Sequence, residues 1–281
     1  MFTKLSNSWD LVKASARVLG ADKELVVFPI VSAIGTLIVT LTFAVPMLVS
    51  GFIDSLISEQ FQWIGVAVLF LFYLVQYTVI FFANTALVGA AIIRLRGGDP
   101  TVGDGFRIAF SRFGPIVGYA LIAATVGMIL RAISERSRGL GRMAVSLIGF
   151  AWNIATYMVV PVLAVEGVGP IEAIKRSVAL LKKTWGEQIA GSLGIGLVFG
   201  LITLAIFVVG IPLVILAFVT LESVWLGITI IAILVIALTL SGLINSTLSG
   251  IYSAAVYQYA ATGQTSEFFD DNLIRNTFTS R

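Results

Sequence analysis

Side chains that could carry out chemistry are few in this sequence. The chain of 281 residues contains neither histidine nor cysteine, which excludes thiol nucleophiles, disulfide bonds, thiolate zinc sites and a histidine general base. Two aspartate pairs, Asp99 with Asp104 and Asp270 with Asp271, are the candidates for a catalytic or metal-binding pair of carboxylates. A lone acidic pair lacks a full ligand set for a metal ion, and aspartate beside glycine and proline is common in turns and helix caps. We therefore predict no enzyme activity, no metal and no cofactor.

Carboxylates are also missing from the middle of the long apolar runs. All 15 acidic residues fall at the ends of these runs or between them, and Glu166 comes closest to one. Proton-driven pumps and many ion pathways carry ionisable groups inside their spans. A proton-coupled transporter and an aqueous ion channel are therefore disfavoured.

The apolar runs do carry amides, and two of these lie in a repeated phrase. NTALVG at 84–89 returns as NSTLSG at 245–250, whereas NIATYM at 153–158 keeps only the asparagine. An amide in lipid must find a partner, and a neighbouring helix supplies one at about 1–2 kcal/mol or less per bond. Two interpretations stay open: the amides pin helices together, or they line a polar path for a ligand. The residues concerned are Asn84, Asn153, Asn245, Gln76 and Ser249.

Small residues recur at every fourth position in the same regions. Such spacing produces a flat helix face that lets two backbones approach closely. The residues that we predict to pack helices together are Gly89, Gly196, Gly200, Gly242, Ser246 and Gly250.

The elements that must position these residues are membrane-spanning helices. Hydrophobic residues make up 58% of the chain and charged residues 12%, against about 25% charged in soluble domains. Six apolar segments can cross a hydrocarbon core of about 30 Å, which takes roughly 20 helical residues. They lie near 25–50, 63–93, 115–130, 143–165, 189–220 and 224–258. The segment at 115–130 is short, so whether it crosses the membrane fully is left open. In the fifth segment, GIP at 210–212 predicts a kink.

Basic residues between the spans predict the orientation of the chain. Fourteen of the 18 lysines and arginines fall on one side of the six-span arrangement, together with both termini. Because basic residues collect on the cytoplasmic side, we expect both termini there. The connection RAISERSRGLGR at 131–142 conflicts with this rule. Its role is left open, and acidic headgroups or a partner protein are the alternatives.

Three basic amphipathic segments precede the first, third and fifth spans. Apolar residues spaced by three and four line one face of each segment. The predicted face is Leu5, Trp9, Val12, Ala16 and Leu19 in the first segment, and Val102, Phe106, Phe110 and Phe113 in the second. In the third it is Ile171, Ile174, Val178, Leu181 and Trp185. Such helices can lie in the membrane interface, or they can pack on the bundle from the cytosol. At the interface their basic side chains would contact anionic lipids. The residues concerned are Arg107, Arg112, Lys175, Arg176, Lys182 and Lys183.

The fold expected is thus an all-α polytopic membrane protein with about six transmembrane helices in three hairpins, each preceded by an amphipathic interfacial helix. We expect one membrane domain over 1–281, with repeat units of approximately 1–93, 100–165 and 170–260. Residues 261–281 are expected to form a cytoplasmic tail.

The segment PVLAVEGVGPIEAIKRSVALLKKTWGEQIAGSLGIGL at 161–197, with SWDLVKAS near the start and VYQYAATG near the end, resembles a family of uncharacterised prokaryotic integral membrane proteins. The chain is more distantly similar to the membrane domain fused to glycerophosphodiester phosphodiesterases. The catalytic domain of those fusions has no counterpart here, so the resemblance implies no lipase activity. It implies six helices and residence in the prokaryotic cytoplasmic (inner) membrane, and it supplies no functional residues.

Two functions remain in view. The first is a non-enzymatic scaffold or accessory subunit of a membrane assembly, with a homo-oligomer or a membrane-protein partner. The alternative is a transporter, flippase or binder of a lipid or another hydrophobic small molecule. We expect anionic membrane lipids as partners in both cases, and no nucleic acid because the net charge is only +3.

Overall fold

The computed structural model describes residues 2–49, 62–183, 185–264 and 266–269, and these residues form helices and turns without a strand. The α-helices within these ranges are α1 (Phe2–Ala21), α2 (Val27–Val49), α3 (Gln62–Leu95), α4 (Val102–Ser111), α5 (Phe113–Arg136), α6 (Leu140–Ala155), α7 (Val159–Glu166), α8 (Pro170–Lys183), α9 (Trp185–Ile215) and α10 (Val224–Thr262). A 3₁₀ turn, Lys23–Val26, precedes α2, and a π-helical turn, Leu216–Thr220, follows α9.

Within the described part of the chain, six helical segments are long and apolar enough to cross a membrane, which confirms the predicted all-α membrane protein. They are Lys23–Leu48, Trp63–Leu95, Phe113–Arg136, Gly141–Glu166, Ile195–Thr220 and Val224–Thr262. The segment 115–130, for which the sequence left open whether it crosses the membrane fully, belongs to α5. The 24 residues of this helix correspond to about 36 Å. It is therefore long enough to cross a core of about 30 Å.

The fourth span differs from the single helix predicted over 143–165. It consists of α6 and α7, which are separated by a turn at 156–158. The hydroxyl of Ser177, on α8, donates a hydrogen bond to the carbonyl of Ala155 at 2.7 Å and accepts one from the amide of Met158 at 3.1 Å. Ser177 thereby satisfies backbone groups that the interruption releases from the helix, as a buried break requires.

The fifth span continues through the GIP sequence. Pro212 lies inside α9, which ends at Ile215. The irregular geometry falls one turn later, in the π-helical turn, where the amide of Leu221 donates to the carbonyl of Leu216. Residues 221–223 then connect to α10, whose first turn is capped by the hydroxyl of Ser223.

The buried core occupies only one end of the bundle, which we call the inner end. Its side chains come from α1, the 3₁₀ turn, the start of α2, the second half of α3, α4, the first part of α5, α7, α8, the start of the fifth span, the second half of α10 and Phe269. Towards the opposite end, the outer end, burial falls sharply. No residue of 63–80 on α3 or of 228–246 on α10 is buried.

The three short amphipathic helices dock on this inner core. α1 packs against α9 and α10, α4 against α3, and α8 against α7. Close approach of α4 depends on Gly105, since a Cβ there would fall on the ring of Phe28 and lie 2.8 Å from the carbonyl oxygen of Ala86.

The buried face of α1 is shifted from the predicted one. α1 buries Leu11, Ala14, Ser15 and Val18 together with Val12 of the predicted face, and Leu19 packs against the core, whereas Trp9 and Ala16 are exposed. Leu5 lies outside the residues whose side chains are described. Besides Leu11 and Val18, the buried face includes the small residues Ala14 and Ser15, which allow the helix to approach its neighbours closely.

The same shift occurs in α8. This helix buries Ala173, Ser177, Leu180 and Leu181, whereas Ile171 is 63% exposed. Only Leu181 of the predicted face is fully buried. The position of Trp185's side chain lies outside the described residues.

Candidate functional site

The two copies of the repeated phrase lie against each other. A Cβ at Gly250 would fall on the side chain of Leu87, so α10 crosses α3 closely at this point. Thr85 and Thr247, one from each phrase, are completely buried. The structure therefore brings the phrases of α3 and α10 together.

The three asparagines all lie where the packed inner core gives way to the outer end. Asn84 and Asn245 are partly buried, and the side-chain carbonyl oxygen of Asn245 is enclosed without a hydrogen-bond partner among the described residues. Asn153 is exposed and lies just before the break between α6 and α7. About 15 Å of helix separates Asn84 from Arg94 at the inner end of α3. This distance places Asn84 near the middle of a 30 Å hydrocarbon core.

The other amide predicted on this path lies further out. Gln76 is partly buried on α3, and its side-chain oxygen has no partner among the described residues. Ser249 is partly buried on α10. The predicted polar residues thus occupy several depths of the bundle.

The predicted packing glycines divide into two groups. Gly89 and Gly250 pack inside the chain, since a Cβ at Gly89 would lie 2.9 Å from Ile108 and one at Gly250 would fall on Leu87. For Gly196, Gly200 and Gly242, no atom of the described residues outside their own helical turns lies within 4 Å of where a Cβ would be.

The open positions of α9 and α10 occupy the same depth in the bundle. Gly210 packs on Leu234, and Gly227 packs on Phe218, which fixes the register of the α9–α10 hairpin. Extending this antiparallel register places Gly200 opposite Ile244. Gly200 therefore lies level with Gly242 and Ser246, and Ser246 is also exposed.

The basic side chains predicted to contact lipid lie around α4 and α8. Arg107 and Lys175 are 81% and 71% exposed, and Lys182 is exposed as well. Arg112 packs over Gly167, where a Cβ would fall on its guanidinium group. The side chain of Lys183 lies outside the described residues.

Arg176 takes part in an ion pair at the inner end. Its Nε donates to the carboxylate of Glu166 at 3.0 Å, and the hydroxyl of Tyr257 donates to the same carboxylate at 3.0 Å. The hydrogen bond to Glu166 raises the pKa of Arg176. These contacts connect α7, α8 and α10, so Arg176 has a structural role besides any contact with lipid.

The acidic pair that the sequence offered for chemistry stabilises local structure. Asp99 pairs with Arg94, which also pairs with the buried Asp22 at 3.1 Å. Asp104 and Thr101 form a reciprocal capping box at the start of α4. Hydrogen bonds from Thr101 lower the pKa of Asp104.

No cluster of three or more potential metal-ligating side chains occurs among the described residues. Asp270 and Asp271 lie outside these residues, so their predicted chemistry has no structural description.

Sequence reasoning missed Ser177 and the polar outer end of α5. Ser177 follows two basic residues in an amphipathic helix, a context that predicts solvent exposure. The available signal was that Ser177 follows Ala173 by four residues, so two small residues lie on one face of α8 and can pack closely against another helix. Arg131 was noticed for its charge, but its contact with Tyr73, on another helix, could not be read from spacing.

Comparison with known families supplies one assignment. Residues 63–268 match the model of a family described as a family of unknown function (DUF6159), and the chain belongs to this family. No curated protein matches the chain. The distant similarity to the membrane domain of glycerophosphodiester phosphodiesterases stays a prediction.

Proposed function

We propose that this member of the DUF6159 family is a non-enzymatic scaffold or accessory subunit that binds a transmembrane helix of another chain. The observation that supports this proposal best is the open small-residue face of the α9–α10 hairpin, formed by Gly196, Gly200, Gly242 and Ser246. Gly200, Gly242 and Ser246 lie at one depth of the hairpin, and Gly196 lies one turn further along α9. Among the described residues outside their own helical turns, none comes within 4 Å of where a Cβ would be at the three glycines, and Ser246 is exposed.

Glycine inside a helix costs about 1 kcal/mol relative to alanine. Inside this chain, Gly210 and Gly250 offset that cost by allowing close contact with Leu234 and Leu87. Gly200 and Gly242 have no such contact among the described residues, and a helix of another chain would supply one. In lipid, flat faces of small residues associate with other helices through van der Waals contact and weak backbone hydrogen bonds.

The exposed asparagine of the fourth span supports the same proposal. Asn153 lies inside the span Gly141–Glu166 and is exposed in the single chain. A polar amide facing hydrocarbon is unfavourable, whereas a neighbouring helix can satisfy it. A second copy and a different membrane protein are both suitable partners.

Native mass spectrometry of gently extracted protein tests the proposal. We expect the wild-type chain to carry a second copy or a defined partner chain. Gly200→Leu combined with Gly242→Leu should abolish that association without unfolding the protein, because both positions have room for a side chain. Gly114→Leu is the matched control, since Gly114 is also exposed, helical and without neighbours within 4 Å.

Loss of the associated chain in the double variant but not in the control supports the proposal. A monomeric wild-type protein, or an association that survives the double variant unchanged, would refute it.

A second candidate function is binding or transport of a lipid or another hydrophobic molecule. It is favoured by the enclosed carbonyl oxygens of Gln76 and Asn245, which have no partner among the described residues and could accept hydrogen bonds from an amphiphile. Changing Asn84 and Asn245 to leucine should then remove one retained lipid class in native mass spectrometry. Unchanged lipid retention would exclude this function for the two asparagines.

The membrane placement that accompanies the proposal is a prokaryotic cytoplasmic membrane with both termini inside. Exposed basic side chains of α4 and α8 would then lie at the cytoplasmic surface, where anionic lipids attract them. Since α1, α4 and α8 each precede a pair of spans, we interpret the chain as three related units. Their interfacial placement is part of this proposal.

A further inference from the structure

Arg131 lies beside a small cavity at the outer end of the bundle, whereas the basic helices α4 and α8 lie at the inner end. The cavity has a volume of about 100 Å³ and lies between α3 and α5. Its lining residues are Tyr73, Tyr77, Ala124, Gly127, Met128 and Arg131. Neither the family assignment nor the proposed function gives these residues a role.

Hydrogen-bond donors converge on this cavity. Arg131 donates from Nη1 to the hydroxyl of Tyr73 at 3.0 Å and from Nε to the carboxylate of Glu135 at 2.8 Å. Because the Tyr73 hydroxyl accepts from Arg131, its own hydrogen is free to point elsewhere. The Tyr77 hydroxyl reaches the opposite wall, where a Cβ at Gly127 would lie 3.6 Å from it.

The depth of the cavity matches a headgroup layer. Arg112, which directly precedes α5, and Arg131 flank the apolar part of this helix, and a rise of about 1.5 Å per residue separates them by about 29 Å. This is the thickness of a hydrocarbon core, about 30 Å. With Arg112 at the inner boundary, Arg131 therefore lies at the outer one.

The connection that begins at the cavity carries a net positive charge. Residues 131–142 contain four arginines and a single acidic residue, Glu135. The Arg131 side chain is 54% exposed, so the site is accessible. A volume of 100 Å³ holds roughly three water-sized molecules at about 30 Å³ each, enough for a phosphate group but not for a whole lipid.

We propose that Arg131, Tyr73 and Tyr77 form a phosphate-binding site at the outer end of α3 and α5. Arginine binds phosphate oxygens through several N–H groups at once, and tyrosine hydroxyls add directional donors. The phosphate belongs to an anionic phospholipid headgroup or to free inorganic phosphate. This site gives Arg131 a role in the connection that conflicts with the distribution of basic residues.

The test compares four forms of the full chain: wild type, Arg131→Gln, the double variant Tyr73→Phe with Tyr77→Phe, and Arg138→Gln. Arg138 is exposed in the same connection, so its change removes equal charge and serves as the control. In the first arm, native mass spectrometry counts phosphatidylglycerol retained from nanodiscs that also contain phosphatidylcholine. In the second arm, inorganic phosphate is titrated against thermal unfolding in phospholipid-free detergent.

We expect Arg131→Gln to weaken the affected binding about tenfold, as loss of a charge-assisted hydrogen bond does. The tyrosine double variant should weaken it by a smaller factor, and Arg138→Gln should leave it unchanged. A loss confined to phosphatidylglycerol identifies a lipid, and a loss confined to phosphate identifies the free ion.

Equal losses in Arg131→Gln and Arg138→Gln would mean diffuse attraction by the connection and would overturn the proposal. Binding that is unaffected in every variant would overturn it too. The tyrosine double variant keeps the test decisive if Arg131→Gln fails to fold, because it retains the ion pair with Glu135. The outcome is independent of whether the α9–α10 face binds a partner.

Discussion

Replacing Ser177 with alanine should weaken the attachment of α8 to the broken fourth span. The Ser177 side chain is fully buried, and its hydroxyl contacts the carbonyl of Ala155 and the amide of Met158. Alanine keeps the helix and removes both contacts. Each backbone group left buried without a partner costs about 1–3 kcal/mol, so for the two groups we expect a loss of about 2–6 kcal/mol in the free energy of unfolding.

The control for this prediction is Ser111→Ala. The Ser111 hydroxyl donates at 2.7 Å to the carbonyl of Ile108, three residues earlier in the same short helix, but it is exposed. Water can replace that hydrogen bond, so we expect a change within about 0.5 kcal/mol.

Two measurements check the result: unfolding of the protein in nanodiscs, and hydrogen exchange of the Met158 amide. Exchange at this amide should accelerate in Ser177→Ala and stay unchanged in Ser111→Ala. Equal stability of the two variants, with slow exchange at Met158 in both, would refute the role of Ser177 in bridging the break.

Three further predictions concern the inner end. Gly105→Ala should destabilise the protein by about 1–3 kcal/mol through overpacking. Gly103→Ala should be neutral or slightly stabilising, since the nearest atom to a Cβ there is 3.6 Å away. Thermal unfolding compares the two variants. Asp22→Asn should lower the free energy of unfolding by about 1.5–3 kcal/mol, because it weakens the largely buried ion pair with Arg94 of α3. Asp10→Asn, at an exposed pair, should change it by no more than about 1 kcal/mol. Chemical unfolding measures both, and equal effects would contradict the prediction. Because the pKa of Asp104 is lowered in the fold, its cap stabilises α4 fully above pH of about 4, the ordinary aspartate pKa, and this stabilisation is lost as the pH falls through the lowered pKa. Hydrogen exchange in the first turn of α4 should therefore rise on acidification. Asp104→Asn should flatten that dependence on pH.

The spans could be predicted from the sequence because each is set by a local property. A run of apolar residues about 20 long identifies a membrane helix whatever its neighbours are. The capping box at Thr101 and the connection at 221–223 are local signals of the same kind. The all-α membrane fold and its six candidate spans therefore follow directly from composition and spacing.

The break in the fourth span was missed. Pro161 does mark it locally, because a proline has no amide hydrogen to donate to the carbonyl four residues earlier, at Tyr157. That signal was not used, and the contact of the break with Ser177, which is distant in sequence, could not be read from spacing. The buried faces of α1 and α8 were shifted for a related reason. Side-chain size suggests which residues prefer lipid, but close packing between helices is decided by where small residues meet.

The candidate site was predicted in part. The spacing of NTALVG and NSTLSG indicated related positions, and Leu87 and Gly250 of these phrases do contact each other. Spacing could not show that Gly89 and Gly250 pack inside the chain whereas Gly200 and Gly242 are open, because this depends on how the hairpins are arranged.

The central claim is that the open face of α9 and α10 binds another membrane helix. The most direct test is photo-crosslinking in native membranes, with a photoreactive residue in place of Ser246 and, as a control, in place of Val208, which is 63% exposed on the same hairpin. The account predicts a protein product of one defined mass from position 246 and only lipid adducts from position 208. Lipid adducts alone at both positions would contradict it.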